Sequence, residues 1–425
     1  MNLLILSIGS NPMPNFIVAD YLLFGNRDLN ELPLLPKPDK IMFVYSSDTE
    51  KFKNSIIDTL NLSTETFIEV NLFEMIRDFN TIKTKVLSAL QAIDGKISSI
   101  HLNYTGGTKP MAVGVSSAVE KFETCNNKIY SDLSPDKFKL TLHDGNEYPS
   151  FGDIRCFVNL SVEKIYKLHK LEKPKFVQST SNWYSSDFID FLINMANEDK
   201  RGDKKFYKKW GMWPREKNDK KNKNGLKRHP DFERFSESED EYNNFKGSLE
   251  DSVNQYINKK DLKLQELNGL KDFVYGHWLE EYLFDTLKEI KKNCEITDIA
   301  WNVETLIERR PFEIDVIAVK GCQSFVFTCT IGYKSGLCKG KAFEGIYRSE
   351  QIGGEHSKTI LVCMADNFDN KGKKTNNSGD QTVENIKKDM SQFDAANNFY
   401  ILGSEDIQDR ETFKDKLKNI INGEE

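Results

Sequence analysis

His101-Leu102-Asn103-Tyr104-Thr105-Gly106-Gly107-Thr108-Lys109-Pro110 runs from an apolar strand pattern into a helix through two glycines flanked by hydroxyls and followed by a lysine. Paired glycines let backbone N–H groups face a ligand without a Cβ in the way, Thr105 and Thr108 add hydroxyl donors, and Lys109 puts a positive charge at a helix N-terminus. The pattern is an anion cradle, and a phosphate-bearing ligand is its natural guest. Its spacing departs from the Walker loop, which sets four residues between its glycines and ends in Gly-Lys-Ser/Thr, so generic nucleotide hydrolysis is not implied. On local pattern alone the same residues also read as a tight turn before a capped helix.

Outward from the cradle, residues 1 to about 145 alternate apolar strands with amphipathic helices at the spacing of βα units. Strands are expected at 3–7, 40–46, 66–70 and 98–104, and helices at 15–23, 49–60, 72–93 and 109–122. A hairpin is expected from 129–133 and 138–142 around Ser134-Pro135-Asp136. Together these make a doubly wound Rossmann-like sheet, whose ligand lies beyond the strand C-termini near a topological switch point. Three polar loops fall at that edge: 9–14 with Ser10 and Asn11, 46–49 with Ser47, and the cradle itself. Their agreement favours a binding site over a plain turn. The apolar first helix, 16–24, reads equally as core-facing or as facing a second subunit.

The chain has 425 residues, enough for about two to three domains. Its apolar opening, Met1 to Gly9, has no basic leader and reads as a buried first strand. No apolar run approaches a membrane span, and the seven cysteines form no Cys-x-x-Cys pair, which points to reduced thiols in a cytoplasm. A net charge of −6 argues against nonspecific coating of nucleic acid. Between the expected domains at 1–150 and 265–425 lies a linker or insertion, 151–264. A helix is expected there at 187–195, followed by a lysine-dense run, 200–228, interleaved with Phe206, Tyr207, Trp210 and Trp213, and an acidic run at 233–241. Such charge blocks read as solvated loops, or as a basic and aromatic strip able to hold a nucleic-acid backbone.

Beyond 260 the expected order is a helix from about 276 to 291, strands near 299–304, 312–319 and 324–330, a helix at 341–352 stopped by Gly353-Gly354, and a buried strand at 359–364. This is a second α/β unit of the αβββαβ kind.

The N-terminal part resembles the CRISPR-associated Rossmann fold (CARF) sensor domain at Ser10-Asn11-Pro12, at Ser46-Ser47-Asp48-Thr49 and above all at Asn103 to Met111. The C-terminal part resembles the PD-(D/E)XK restriction-endonuclease-like domain at Trp278-Leu279-Glu280 and Glu313-Ile314-Asp315-Val316. The pairing is similar to type III CRISPR ancillary effectors. The resemblance implies a homodimer that binds a cyclic oligoadenylate, most often cyclic tetra-adenylate and less often cyclic hexa-adenylate, and then activates a nuclease on DNA or RNA. It implies ligand contacts from Ser10, Asn11, Ser47, Thr105, Gly106, Gly107, Thr108 and Lys109. In the nuclease half it implies Glu280 and Asp315 as carboxylates for a divalent metal, manganese or magnesium.

The nuclease pattern departs from the family on one strand. The family places Glu-x-Lys there, and Thr328 and Thr330 stand at those positions. Three readings remain open. The groups have migrated, with Glu313 joining the metal set and Lys341 and Glu344 supplying the missing charges; the domain binds without cutting; or the scaffold has adopted another reaction. A ring nuclease that degrades its own messenger is a further alternative. The bland accounts are an exposed helix turn for Glu280, a hairpin cap for Asp315 and an i,i+3 surface pair for Lys341 and Glu344.

Overall fold

The structure, a computed structural model, describes residues 1–25, 35–172, 174–201, 256, 264–307, 310–366, 383–392 and 398–424. It divides into two compact units. One comprises Met1–Phe176, Lys291–Val326 and Ile346–Lys358; the other comprises Val177–Ile290, Phe327–Gly345 and Thr359–Glu425.

The first unit is built on strands β1 (Asn2–Ser7), β2 (Lys40–Tyr45), β3 (Phe67–Asn71), β4 (Ser99–Asn103), β5 (Lys128–Leu133), β6 (Leu140–Leu142) and β7 (Glu147–Tyr148), in the order β3-β2-β1-β4-β5-β6-β7. Pairing is parallel from β3 to β5 and antiparallel from β5 to β7. The period of two sorts alternate side chains to opposite faces. Leu4 and Leu6 of β1 join one core with Phe16, Ile17 and Ile56, from helices α1 (Met13–Asp20) and α2 (Glu50–Leu60). Leu3 and Ile5 join the other with Ile82, Val86, Met111 and Val115, from helices α3 (Phe79–Gln91) and α4 (Lys109–Lys121). With both faces covered, the sheet is doubly wound. The order reverses between β1 and β4, so their C-terminal ends form the switch point.

The expected elements of this sheet are present, with one shortened helix. Residues 72–78 are turns rather than the start of α3, because Asn71 Oδ1 accepts from Phe73 N (2.7 Å) and holds Phe73 at φ 53°. The helix begins where Asp78 accepts from the N–H groups of Asn80 and Thr81, an N-cap that satisfies orphan donors.

Helix α5 (Val162–Leu168) and strand β8 (Lys175–Val177) follow the sheet. Strands β9 (Ile296–Ile307) and β10 (Arg310–Lys320) form an antiparallel pair from Arg310↔Ile307 to Lys320↔Ile296. Their side chains Ala300, Val303, Phe312, Ile314, Ile317 and Val319 share a hydrophobic core with Leu4, Leu6 and Tyr21. The turn after β10 seats against the loop before α5: Leu160 N donates to Gly321 O (2.8 Å), and Arg155 donates to Gln323 Oε1 (2.7 Å). Gly321 sits at φ 59°, and a Cβ there would stand 2.2 Å from the Arg155 carbonyl oxygen, so only glycine fits.

The second unit contains helices α6 (Ser186–Arg201), α7 (Leu264–Asp272) and α8 (Trp278–Ile290), the C-terminal part of β11 (Gln323–Thr330), the first part of helix α9 (Ser335–Gly353), and most of β12 (Lys358–Cys363). Helix α10 (Val383–Met390), strand β13 (Phe399–Leu402) and helices α11 (Ser404–Gln408) and α12 (Arg410–Asn422) complete it. The second sheet runs β13-β12-β11-β10-β9-β8. The αβββαβ order holds, although α6 extends beyond 195 and α9 begins at Ser335 rather than 341. Arg410 anchors α12 to α8 by donating to Asp285 (2.5 Å) and Glu289 (2.6 Å) while its guanidinium lies over Tyr282. Of the basic and aromatic run, 202–228 lies outside the described residues, as does the acidic run at 233–241.

Candidate functional site

The β1–α1 and β4–α4 loops meet at the switch point. A Cβ on Gly9 would stand 3.0 Å from Gly107 N, so the two loops lie against each other with no room for side chains between them. Gly107 adopts φ 81°, a conformation open to glycine at no steric cost. Gly106 is tighter still: its Cβ would fall 2.3 Å from Ser7 O and 2.4 Å from Asn15 Nδ2. Both glycines are therefore required by close approach. Beneath them Asn15 Nδ2 donates to Ser7 O (3.1 Å). Neither Asn15 nor Ser7 stood out in the sequence, where one is a polar residue in an apolar helix and the other merely ends an apolar strand.

Both threonine hydroxyls of the loop have defined partners. Thr105 N donates to Asn103 Oδ1 (3.3 Å), and Thr105 Oγ1 accepts from Leu133 N (2.7 Å), which fixes the oxygen and leaves its proton to donate. Thr108 is the N-cap of α4, accepting from Met111 N (3.4 Å) and donating to Ile76 O (3.3 Å). Its hydroxyl is thus engaged in capping, and its backbone is what faces the helix entrance. Lys109, the first residue of α4, is exposed and makes no ion pair among the described residues. A free ammonium at a helix N-terminus adds to the dipole's pull on an anion.

The remaining predicted ligand residues take their places at the same edge. Ser10 and Ser47 are exposed, and Ser47 opens a short 3-10 turn held by the Ser46–Thr49 capping box. Asn11 turns inward: its Oδ1 accepts from Met13 N (3.0 Å), and its Nδ2 stands 1.9 Å from where a Cβ on Gly354 would sit. Gly354, at φ 59°, immediately follows α9. His101 lies below the cradle with Nε2 against Ser131 Oγ (2.7 Å), and burial pulls its pKa down to about 4, so it is a neutral core histidine.

The predicted effector residues come from several elements. Glu280 lies half-buried in the first turn of α8; Glu281 beside it is buried, accepts from Ser181 N (2.7 Å) and has its pKa raised by desolvation. Asp315 is buried and Glu313 exposed on β10. Asp315 falls between the register pairs Ile314↔Val303 and Val316↔Trp301, and Asn302, between the same pairs on β9, holds φ 51° inside its strand. Positive φ in a non-glycine strand residue is uncommon and marks a local distortion. Lys341 and Glu344 form a half-exposed i,i+3 pair at 3.7 Å, the bland arrangement, worth a few tenths of a kcal/mol.

Thr328 takes part in helix–sheet packing. A Cβ on Gly345 of α9 would come within 2.9 Å of the Thr328 methyl, so the helix lies directly on this position. A glutamate at 328 would have to displace it. Among the described residues, no group of three or more His, Cys, Asp and Glu side chains is placed to hold a metal ion. No helix of the described residues is long and apolar enough to cross a membrane.

Residues 29–147, a little over a quarter of the chain, match the Card1 CARF domain. The match spans β2 to β7 and includes Ser47 and the whole Thr105–Lys109 cradle, whereas Ser10 and Asn11 precede it. No curated protein matches the chain. Two solved structures share its fold along nearly the whole length. One is protein VC1899 from Vibrio cholerae, with a TM-score of 0.61 and 13% identity over 99% of this chain and 98% of that one. The other is Can2 from Sulfobacillus thermosulfidooxidans in complex with cyclic tetra-adenylate, with a TM-score of 0.58 and 14% identity over 99% of this chain and 100% of that one.

Proposed function

We propose that this protein is a cyclic oligoadenylate sensor of the type III CRISPR response, coupled to an effector part that acts on nucleic acid. The carrying observation is the interlocked pair of glycine loops at the switch point of a CARF domain, with an exposed lysine at the helix entrance. A cyclic oligonucleotide is a ring of phosphates. Backbone N–H groups of the Gly106–Gly107 loop and the Lys109 ammonium bind one phosphate, and the Thr105 hydroxyl proton donates to it. Ser10 and Ser47 contact ribose or base. Two copies of the cradle about a twofold axis hold the ring symmetrically, so the active species is a homodimer. Cyclic tetra-adenylate is the expected messenger, the ligand with which Can2 was solved.

For the effector part, the reading is a messenger-activated nuclease with an altered site, drawing on Glu280, Asp315, Glu313, Lys341 and Glu344. The packing of Thr328 under α9 and the lack of a metal-holding group among the described residues favour a second reading, in which this part binds nucleic acid or a partner without cutting.

One experiment separates them. Supercoiled DNA and single-stranded RNA are incubated with the protein and manganese, with and without cyclic tetra- and hexa-adenylate, while binding of each messenger is measured by calorimetry. Messenger-dependent cutting that disappears in Asp315→Ala supports the nuclease. Tight binding without cutting supports the second reading, and no binding of either messenger removes the sensor assignment.

A further inference from the structure

The floor of the cradle carries two polar atoms that do nothing for stability. Asn15 and Ser7 are fully buried, and neither Asn15 Oδ1 nor Ser7 Oγ has a hydrogen-bond partner among the described residues. A buried polar atom without a partner is a net cost, and an apolar residue of the same shape would avoid it. Both nevertheless stand directly under the glycine loop. A Cβ on Gly106 would lie 2.9 Å from Asn15 Oδ1, and one on Gly107 would lie 2.9 Å from Ser7 Cβ. The amide also bridges elements, since Asn15 belongs to α1, Ser7 ends β1 and Gly106 follows β4.

We propose that Asn15, seconded by Ser7, is the positioning residue of the anion cradle. Its amide holds the Ser7 carbonyl and, through it, sets the height at which Gly106 and Gly107 cross the end of β1. The backbone N–H groups that meet the anion are thereby aimed before the ligand arrives. Preorganised donors bind without a reorganisation cost, which is the return on keeping an imperfectly satisfied amide in the core. An aliphatic side chain at this position fills the same space but supplies no donor to the Ser7 carbonyl. This proposal rests on the sensor reading above.

The test compares the full-length protein with Asn15→Leu, Asn15→Ser and Ser7→Ala, using cyclic tetra-adenylate as the probe. Calorimetry is expected to show at least tenfold weaker binding for Asn15→Leu and partial recovery in Asn15→Ser, whose hydroxyl can still donate beneath the loop. Ser7→Ala, which keeps the backbone carbonyl, loses less. Melting midpoints of all three stay within a few degrees of the wild type, which separates positioning from a general loss of structure. With ¹⁵N-glycine labelling, the Gly106 and Gly107 amide resonances move in free Asn15→Leu while distant glycines such as Gly423 do not. Should Asn15→Leu fail to fold, Asn15→Ser carries the comparison. Wild-type affinity and unmoved glycine resonances in the folded variant overturn the proposal alone. A wild-type protein that binds no messenger removes the sensor reading, and this proposal with it.

Discussion

The switch-point cradle and the predicted effector residues were read from the same sequence, yet they differ in how their residues are held. Around the cradle, Gly9 and Gly106 are enforced first by backbone: Gly107 N and Ser7 O occupy the space a side chain would need, with the Asn15 side-chain amide beside Ser7 O. At α9 the corresponding glycine, Gly345, is enforced only by side-chain atoms, the methyls of Thr328 and Thr359. Backbone cannot give way without moving a strand, whereas a methyl can turn or shift. The Gly9–Gly106 crossing is thus held by backbone, whereas the Thr328–Gly345 contact is one that substitution can repack. Thr328, where the nuclease-like resemblance leads one to expect a glutamate, falls on that second side.

The sharpest way to break this contrast is to add one methyl group to each region. Gly106→Ala is expected to destabilise the protein by about 1–3 kcal/mol through overpacking and to lower messenger affinity at least a hundredfold. Gly345→Ala should cost less, because about 1 kcal/mol of helix propensity offsets the strain of the added methyl, and it should leave affinity unchanged. Chemical denaturation with calorimetric binding checks both, and equal effects would dissolve the distinction.

Acidification gives the next largest effect, and it is directed at the first unit. Burial lowers His101, His169 and His356 to about 4, all three in that unit. Unfolded imidazoles take up protons near pH 6.5, before the folded ones do, so the unfolded state binds more protons between about pH 6.5 and 4 and stability falls across that window. Asp20, raised to about 6 by burial, works in the opposite sense between about pH 6 and 4, one carboxyl against three imidazoles. The expected outcome is a melting midpoint that drops steadily from pH 7 to 4. A flat profile would remove the neutral-histidine account of His101 and its neighbours.

Lys109→Ala tests charge against shape within the cradle. Losing one charge-assisted hydrogen bond, about 1.5–3 kcal/mol, predicts roughly 10- to 100-fold weaker messenger binding with an unchanged melting midpoint. Unaltered affinity would leave the anion to the backbone alone. The smallest effect is expected from Lys341→Ala. Its half-exposed partner Glu344 makes the pair worth only a few tenths of a kcal/mol, so stability should barely move. A fall in messenger-dependent cleavage in that variant would draw Lys341 into the chemistry, and an unchanged rate would keep it a surface pair.

What could be read from the chain alone was whatever local pattern dictates. Leu3 to Leu6 alternate between two cores, so a strand covered on both faces follows from period two. Thr105 to Lys109 make a glycine turn before a capped helix, so a helix entrance of the kind that can take an anion is legible from backbone chemistry. Long-range partners carry no such period, and only the tertiary structure decided them. It put β9 and β10 into the core shared with β1, set Asn15 beneath Gly106, turned Asn11 toward Gly354 and laid Gly345 on Thr328. Each is a meeting of residues far apart in the chain, selected by shape and by the need to pair buried polar groups.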